Sequence, residues 1–466
     1  MERLTGQDAS FLYNETSSQH MHTLKISILD PSTAVGGYSF ERFQEELKQR
    51  LHLLPPLRRR VVSPPLQLHH PWWIEDPRFN LDDHVHVRSA PAPGGREQLD
   101  QVISEVAGRP LDRSRPLWEI WAVEGLEGGR VAFIAKIHHS VADGMMAASL
   151  LANVFETDPG QVEPAPPAEP WRPDPIPSRL TLLKLALIDI WRLIVGLPGL
   201  LGRTAKGQLA VLRRKRTGAV VPPTPFSGPK LSFNRALTPN RIFVSTSLSL
   251  DQVRAVKSAF DVTVNDVVLA LCAGALRGYL EERGELPDRA MVAGVPISTR
   301  PKDAPVKANN ASTLFTTLPV QIEDPVERLR IIHEVTTGAK EQFQLIGPGM
   351  LEEWSEFTPP LPYSAGMRLF SRTRLADRLR SPINVIISNV PGPQQPLYIA
   401  GSRLDTILSM GPILEGIGLN ITVWSYLDQL NFGIVAVPEH LPDLRRLAEL
   451  LDDALEELQK AAAARS

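Results

Sequence analysis

The sequence predicts an α/β (mixed α+β) protein with a large mixed sheet in each of two halves. Three observations lead there. A chain of 466 residues is longer than one ordinary hydrophobic core supports. Runs rich in β-branched and aromatic residues alternate with runs of helical spacing on both sides of the middle. Two proline clusters, EPAPPAEPWRPDPIP (163–177) and VVPPTPFSGPK (220–230), interrupt that alternation. Proline fixes φ and removes a backbone donor, so both clusters read as extended surface connectors. They divide the chain into an N-terminal domain at 1–156, linkers with a helical segment at 157–234, and a C-terminal domain at 235–466.

In the first domain, PLWEIWAV and RVAFIAKIHH flank EGLEGG and read as a hairpin entering a buried sheet. In the second, NRIFVSTSLSL alternates like a strand and VNDVVLALCAGALRGYL has helical spacing. INVIISNVPGP and LNITVWSYLDQLNFGIVAV read as further strands, and the tail LPDLRRLAELLDDALEELQKAAAA as an amphipathic helix. No solenoid-type repeat is evident.

Composition excludes several classes. A net charge of −2 argues against nucleic acid as the main partner. The single cysteine, Cys272, rules out an intramolecular disulfide framework, fits a reducing compartment and argues against structural zinc. The start MERLTGQDASFLY lacks the basic and apolar regions of a signal peptide. No uncharged apolar run reaches the roughly 18 residues of a membrane span, so an intracellular location is expected.

The richest stretch is VAFIAKIHHSVADGMMAASLLANVF (131–155). Along a strand side chains alternate in direction, so His138 shares a face with Lys136 and Ile134, and His139 with Ile137 and Ala135. The two imidazoles therefore have different jobs. Asp143, ahead of the helical run MMAASLLANVF, is placed to cap that helix. Taken singly, paired histidines at a strand end also serve as hydrogen-bonded core residues, and an aspartate before a helix as a plain cap. As a set, an imidazole leaving a buried strand at a turn held by a carboxylate is how a general base is prepared. Its ordinary pKa, about 6.5, lets it take a proton at neutral pH.

The run from His138 to Gly144 matches HHxxxDG, and other blocks accompany it: RPLDRSRPLWEIW (109–121) with its PLW element, TVNDVVLALCAGALRGYL (263–280) with its ND element, GVPISTRP, SNVPGPQQPLYIAGSRL, the opening LTGQDASFLYNE and HMH at 20–22. In this order they resemble the bacterial bifunctional wax ester synthase/diacylglycerol acyltransferase family, within the HHxxxDG CoA-dependent acyltransferase superfamily, over nearly the whole chain. The resemblance implies two chloramphenicol-acetyltransferase-like domains with a channel between them. It also implies fatty acyl transfer from acyl-CoA to diacylglycerol, with long-chain alcohols as a second acceptor class.

By that resemblance His139, in the HxxxD frame, is the base, with His138 secondary. Asp143 is structural and pairs with an arginine, Arg300 being one candidate. Asn265 lies near the reaction centre, where its amide could orient substrate or stabilise an oxyanion; as a bare residue it equally suits a helix's first turn. Thr263 and Asp266 fit a capping box, a sufficient reason for that aspartate. No acyl-enzyme is expected, since no G-x-S-x-G elbow occurs and Cys272 sits in an apolar run. Acyl-CoA is a co-substrate; no cofactor and no metal are expected. LHHPWW (68–73), with paired histidines but no HxxxD frame, reads as a loop, and HVH (84–86) lacks further ligands.

Between the proline clusters, residues 178–216 are apolar with recurrent bases and one acid, Asp189. They read as a helix pair broken near GLPG, lying in a membrane interface with its bases at anionic head groups. A pair packed across the two halves is the alternative. The expected partners are fatty acyl-CoA, diacylglycerol or a long-chain alcohol, and an inner-membrane or lipid-body surface, with the protein cytoplasmic and peripheral. Acyl transfer to a polyketide or glycolipid hydroxyl, and a non-catalytic lipid-body protein, are the alternative functions.

Overall fold

The structure, a computed structural model, describes residues 1–34, 36–142, 153–158, 171–216, 220–298, 311–347 and 349–465. From the N-terminus the chain forms β1 (Glu2–Arg3), α1 (Gly6–Asn14), β2 (His22–Asp30), α2 (Phe40–Arg50), β3 (Arg59–Val62), β4 (Trp72–Glu75) and β5 (Val85–Ser89). There follow α3 (Arg96–Ala107), β6 (Trp118–Glu124), β7 (Val131–His138) and the long α4 (Arg179–Arg216). The second half holds β8 (Ile242–Ser249), α5 (Leu250–Phe260), α6 (Val264–Glu282), β9 (Met291–Ser298), β10 (Ala311–Leu318) and α7 (Pro325–Ile346). It continues with α8 (Met350–Ser355), α9 (Pro360–Arg372), β11 (Val385–Val390), β12 (Tyr398–Ile399), β13 (Ser402–Met410), β14 (Leu419–Tyr426), β15 (Gln429–Ala436) and α10 (Leu444–Ala463).

Two six-stranded sheets organise these elements. One runs β12-β13-β2-β7-β6-β5 and the other β10-β9-β11-β14-β15-β8. Both are mixed: β5 joins β6 in parallel within an otherwise antiparallel sheet, and β11 runs parallel to β9 and β14. The predicted hairpin is β6 and β7, antiparallel, with Trp118 opposite Ile137. The boundary at 235 divides the chain but not the sheets, because β12 and β13, late in sequence, complete the first sheet against β2. That exchange ties the halves together through main-chain hydrogen bonds.

Local chemistry accounts for the helices. Helix α10 buries Leu444, Leu447, Leu451, Ala454, Leu455 and Leu458, three and four residues apart, on the second core. Each buried leucine is worth about 1.5–3 kcal/mol. Helix α6 starts in the predicted capping box, with the Thr263 side chain on the Asp266 amide and the Asp266 carboxylate on the Thr263 amide.

Two expectations need correcting. GLPG does not break the 178–216 segment: α4 is one helix of 38 residues with Pro198 inside it. An interior proline costs about 3 kcal/mol. Packing on both sides holds this helix together, through Leu182 and Ala186 before the proline and Leu200 and Val211 after it. Nor is LHHPWW all loop, since Trp72 and Trp73 begin β4, the centre of a small sheet ordered β1-β4-β3. Pro71 stands just outside the strand, where its missing N–H breaks no ladder bond, and its carbonyl accepts from Leu4.

Candidate active site

Strand β7 ends at His138, so His139 stands one residue beyond it, in the turn that follows. Its even positions, Ala132 and Ile134, pack with α3 and with Leu24 and Ile26 of β2. The odd positions, Phe133 and Ile137, belong to a core shared with Val390, Trp424 and Tyr426 of the second sheet. His138 continues the first series and is fully buried. His139, just past the strand, is half-buried, with its ring against Phe11 of α1.

His138 is built into the structure. Its Nδ1 accepts from the Ser140 amide (3.1 Å) and lies 2.7 Å from the Ser140 hydroxyl. A lone pair on Nδ1 puts the proton of the neutral ring on Nε2, which faces Glu15 at 3.9 Å. Directly across the ladder stands His22, whose Nε2 is 3.6 Å from the other Glu15 oxygen. Burial pushes the His138 pKa down to about 3, against the pull of Glu15. Burial also holds His22 well below its ordinary value, with Lys136 and His20 adding to the effect. Arg113 pairs with Glu15 at 2.6 Å and caps the cluster. Lys136, buried in the same strand face, donates to the Arg109 carbonyl and has its pKa lowered to about 8 by burial.

The backbone around the pair is pinned from both flanks. The His138 amide donates to the Leu117 carbonyl (2.9 Å), and the His139 amide to the Met21 carbonyl (2.7 Å). Leu117 belongs to PLW, whose Trp118 is buried, donates its indole N–H to Leu57 and stacks on His84 at 4.5 Å. PLW is thus a brace beneath the histidines. His84 of HVH serves that brace, its Nδ1 2.8 Å from the Trp118 carbonyl. The NVPGP turn closes on β14: the Gly392 amide donates to Ser425 Oγ (3.0 Å), and a Cβ at Gly392 would strike the Ser425 carbonyl and the Trp424 ring.

Asp143 and Arg300 lie outside the described residues, so the expected pair is a reading of the sequence alone. Asn265 is half-buried in the first turn of α6, and no hydrogen bond among the described residues joins it to the histidines. Its neighbour Asp266 is fully occupied: besides the cap it meets His333 Nδ1 (2.8 Å) and the Thr336 hydroxyl (2.7 Å) on α7. Burial works against that carboxylate, but these hydrogen bonds prevail and keep its pKa low. The aspartate therefore locks α6 to α7 and fixes where Asn265 sits. Cys272 is buried, and its thiol is pushed up to about 12 by burial, which keeps it from acting as a nucleophile.

Sequence reasoning passed over Phe11 of α1 and Glu15, the residue just after that helix. Phe11 lies against His139, with ring centroids 4.2 Å apart and planes inclined by 31°. Four residues on, Glu15 meets His22 and His138. Both stand in LTGQDASFLYNE, more than 120 residues before the paired histidines, and nothing local marks them. Lys136, a charge inside an apolar strand, signals a need for polar company, but Glu119 and the Arg109 carbonyl supply it.

A cavity of ≈ 1240 Å³ lies between the halves, lined by α3, β8, the end of α6 and the start of α10. None of the candidate residues lines it, and two of its arginines, Arg445 and Arg446, pair with acids of the same wall.

Residues 4–268 match the wax ester synthase/diacylglycerol acyltransferase catalytic domain, and residues 307–459 match the WS/DGAT C-terminal domain. The chain belongs to the wax ester synthase/diacylglycerol acyltransferase family. Two Mycobacterium tuberculosis proteins, each provisionally named a diacylglycerol O-acyltransferase, are similar. One is 40% identical over 460 residues, covering 98% of this chain and 90% of that one. The other is 40% identical over 446 residues, covering 94% and 92%. Among solved structures, the wax ester synthase/diacylglycerol acyltransferase from Marinobacter aquaeolei VT8 is 26% identical, with a TM-score of 0.70 over 99% of this chain and 100% of that one. The first condensation domain of the calcium-dependent antibiotic synthetase, 14% identical with a TM-score of 0.59 over 99% and 96%, shares the fold. The two-domain architecture is therefore shared with the Marinobacter enzyme and, as a fold, with the condensation domain.

Proposed function

We propose that this family member esterifies a hydrophobic alcohol, diacylglycerol foremost, with the fatty acyl group of an acyl-CoA. Long-chain alcohols, giving wax esters, are the second acceptor class. The observation that carries the reading is the division of labour within the histidine pair. His138 is consumed by the fold, whereas His139, one residue beyond β7, is half-buried. In the reaction His139 takes the hydroxyl proton, and the alcohol oxygen attacks the thioester carbonyl. The tetrahedral intermediate collapses with cleavage of the carbon–sulfur bond, and the proton passes to the CoA sulfur. The Asn265 amide orients the substrate or donates to the developing oxyanion. Asp143 is assigned a structural role, not a chemical one, by the HHxxxDG frame alone. Acyl-CoA is the co-substrate, and no further cofactor takes part. The test is an acceptor panel with palmitoyl-CoA. Diolein and hexadecanol are expected to yield triacylglycerol and wax ester with stoichiometric CoA release, and absence of ester with both would reject the reading.

The protein works, on this reading, at a membrane or lipid-body surface. No single helix among the described residues is long and apolar enough to cross a membrane. Helix α4 nonetheless leaves a stripe of large apolar side chains in the open: Leu180 (78% exposed), Leu187, Trp191 (66%), Ile194 and Val195. Exposed Arg179, Lys184 and Arg192 flank it. Such a stripe beside bases suits the boundary between acyl chains and anionic head groups. Replacing Leu187, Trp191 and Val195 by serine is expected to lower binding to anionic vesicles containing diolein at least about ten-fold, judged from the apolar area withdrawn. Vesicle flotation measures this, and an unaltered bound fraction would remove the interfacial role.

A further inference from the structure

Transfer of an acyl group to a lipid hydroxyl has a built-in competitor. The base that activates an alcohol also activates water, and hydrolysis of the thioester then wastes the donor as free fatty acid and CoA. The chemistry thus demands that something keep water from the imidazole. The structure places one apolar ring there. Phe11 covers a face of His139 at 4.2 Å, tilted by 31°. The Nδ1 side of His139 is buried in the protein.

Phe11 is held in place by the rest of α1. The Thr5 side chain caps the helix. Gly6 lies so close to the Ser355–Glu356 backbone that a Cβ would collide with it. Tyr13 meets His70 Nδ1 at 2.8 Å, and Asn14 accepts from Tyr363 at 3.0 Å. The Leu12 carbonyl accepts from Arg113 (2.5 Å), the arginine that also binds Glu15. One helix therefore sets Phe11 on the base and Glu15 under its buried neighbour. An aromatic side chain needed only for packing would bury itself in the α1 core with Leu12 and Tyr13, yet Phe11 stays half-buried beside a half-buried imidazole.

We propose that Phe11 is a positioning residue that fixes the His139 ring and shields it from water, so that acyl-CoA is spent on transfer and not on hydrolysis. The inference rests on His139 being the base. In the side reaction it suppresses, His139 takes a proton from water, the hydroxide oxygen attacks the thioester carbonyl, the carbon–sulfur bond breaks and the sulfur regains the proton. Fatty acid and CoA result.

The experiment measures ester formed and CoA released in parallel, from palmitoyl-CoA and diolein, for the native chain and a series Phe11→Leu, Phe11→Val and Phe11→Ala, each checked for folding by thermal melting. The ratio of ester to CoA is expected near unity for the native chain and Phe11→Leu, and to fall several-fold as the side chain shrinks, with palmitate making up the difference. If Phe11→Ala does not fold, Phe11→Val reads the same ratio. A ratio constant across the folded variants, even with lower total rate, would overturn the proposal and leave packing as the sole role. In Phe11→Ala/His139→Ala the extra hydrolysis must vanish; its persistence would overturn the shielding role too. Failure of the base itself reads differently, as native CoA release by His139→Ala alone.

Discussion

Replacing His139 with alanine is expected to lower ester formation from acyl-CoA and diolein by about 10²–10⁴, the usual contribution of a positioned general base. The loss falls on kcat, because the imidazole acts on the hydroxyl proton in the transition state and contributes little to holding either lipid. The fold should tolerate the change, since this ring is half-buried and the main-chain bond from residue 139 to Met21 does not depend on the side chain. His139→Gln, which keeps a polar side chain but no basic nitrogen, is expected to fall equally far. Steady-state kinetics with a melting curve for each variant decides the matter. Native kcat in either variant would mean that the proton is taken elsewhere.

The second large effect is acid lability arising from the other histidine. His138 stays neutral in the folded protein down to about pH 3 because burial opposes its charge, whereas in the unfolded chain it protonates below its ordinary value of 6.5. Between those limits the unfolded state binds the proton and the folded state does not. Stability is therefore complete above pH 6.5 and drains away as pH falls toward 3, by about 1.4 kcal/mol per unit for one such group. His22 and His20, both also lowered chiefly by burial, add with the same sign. Glu15 opposes the effect at His138, and buried Asp100, whose carboxyl burial raises, acts in the opposite direction. Denaturant midpoints at pH 7.5, 6 and 5 should drop steadily for the native chain and less steeply for His138→Asn, which has nothing to titrate there. Equal slopes for the two proteins would show that this imidazole is not the source.

Much of this molecule is written locally. Alternation of two within β7 sends Phe133 and Ile137 into one core and Ala132 and Ile134 into another, as the residue pattern of that strand requires. Thr263 and Asp266 announced a capping box because both halves of that motif lie within one turn of chain. Other features depend on partners far away in sequence. Trp72 and Trp73 are strand residues because β1 and β3 offer ladders on either side, which no property of LHHPWW discloses. Pro198 is carried inside a helix because residues before and after it are anchored to the body of the protein.

By itself the sequence determined the class of the fold and the order of most strands and helices. Those follow from periodicity, capping and motif spacing, all short-range. Only the tertiary structure decided that β12 and β13 would finish the first sheet, that Glu15 would sit beneath His22 and His138, and that Phe11 would cover His139. Strand order and ring contacts are set by which buried surfaces fit once the whole chain has collapsed, and that competition leaves no local mark on the residues that win it.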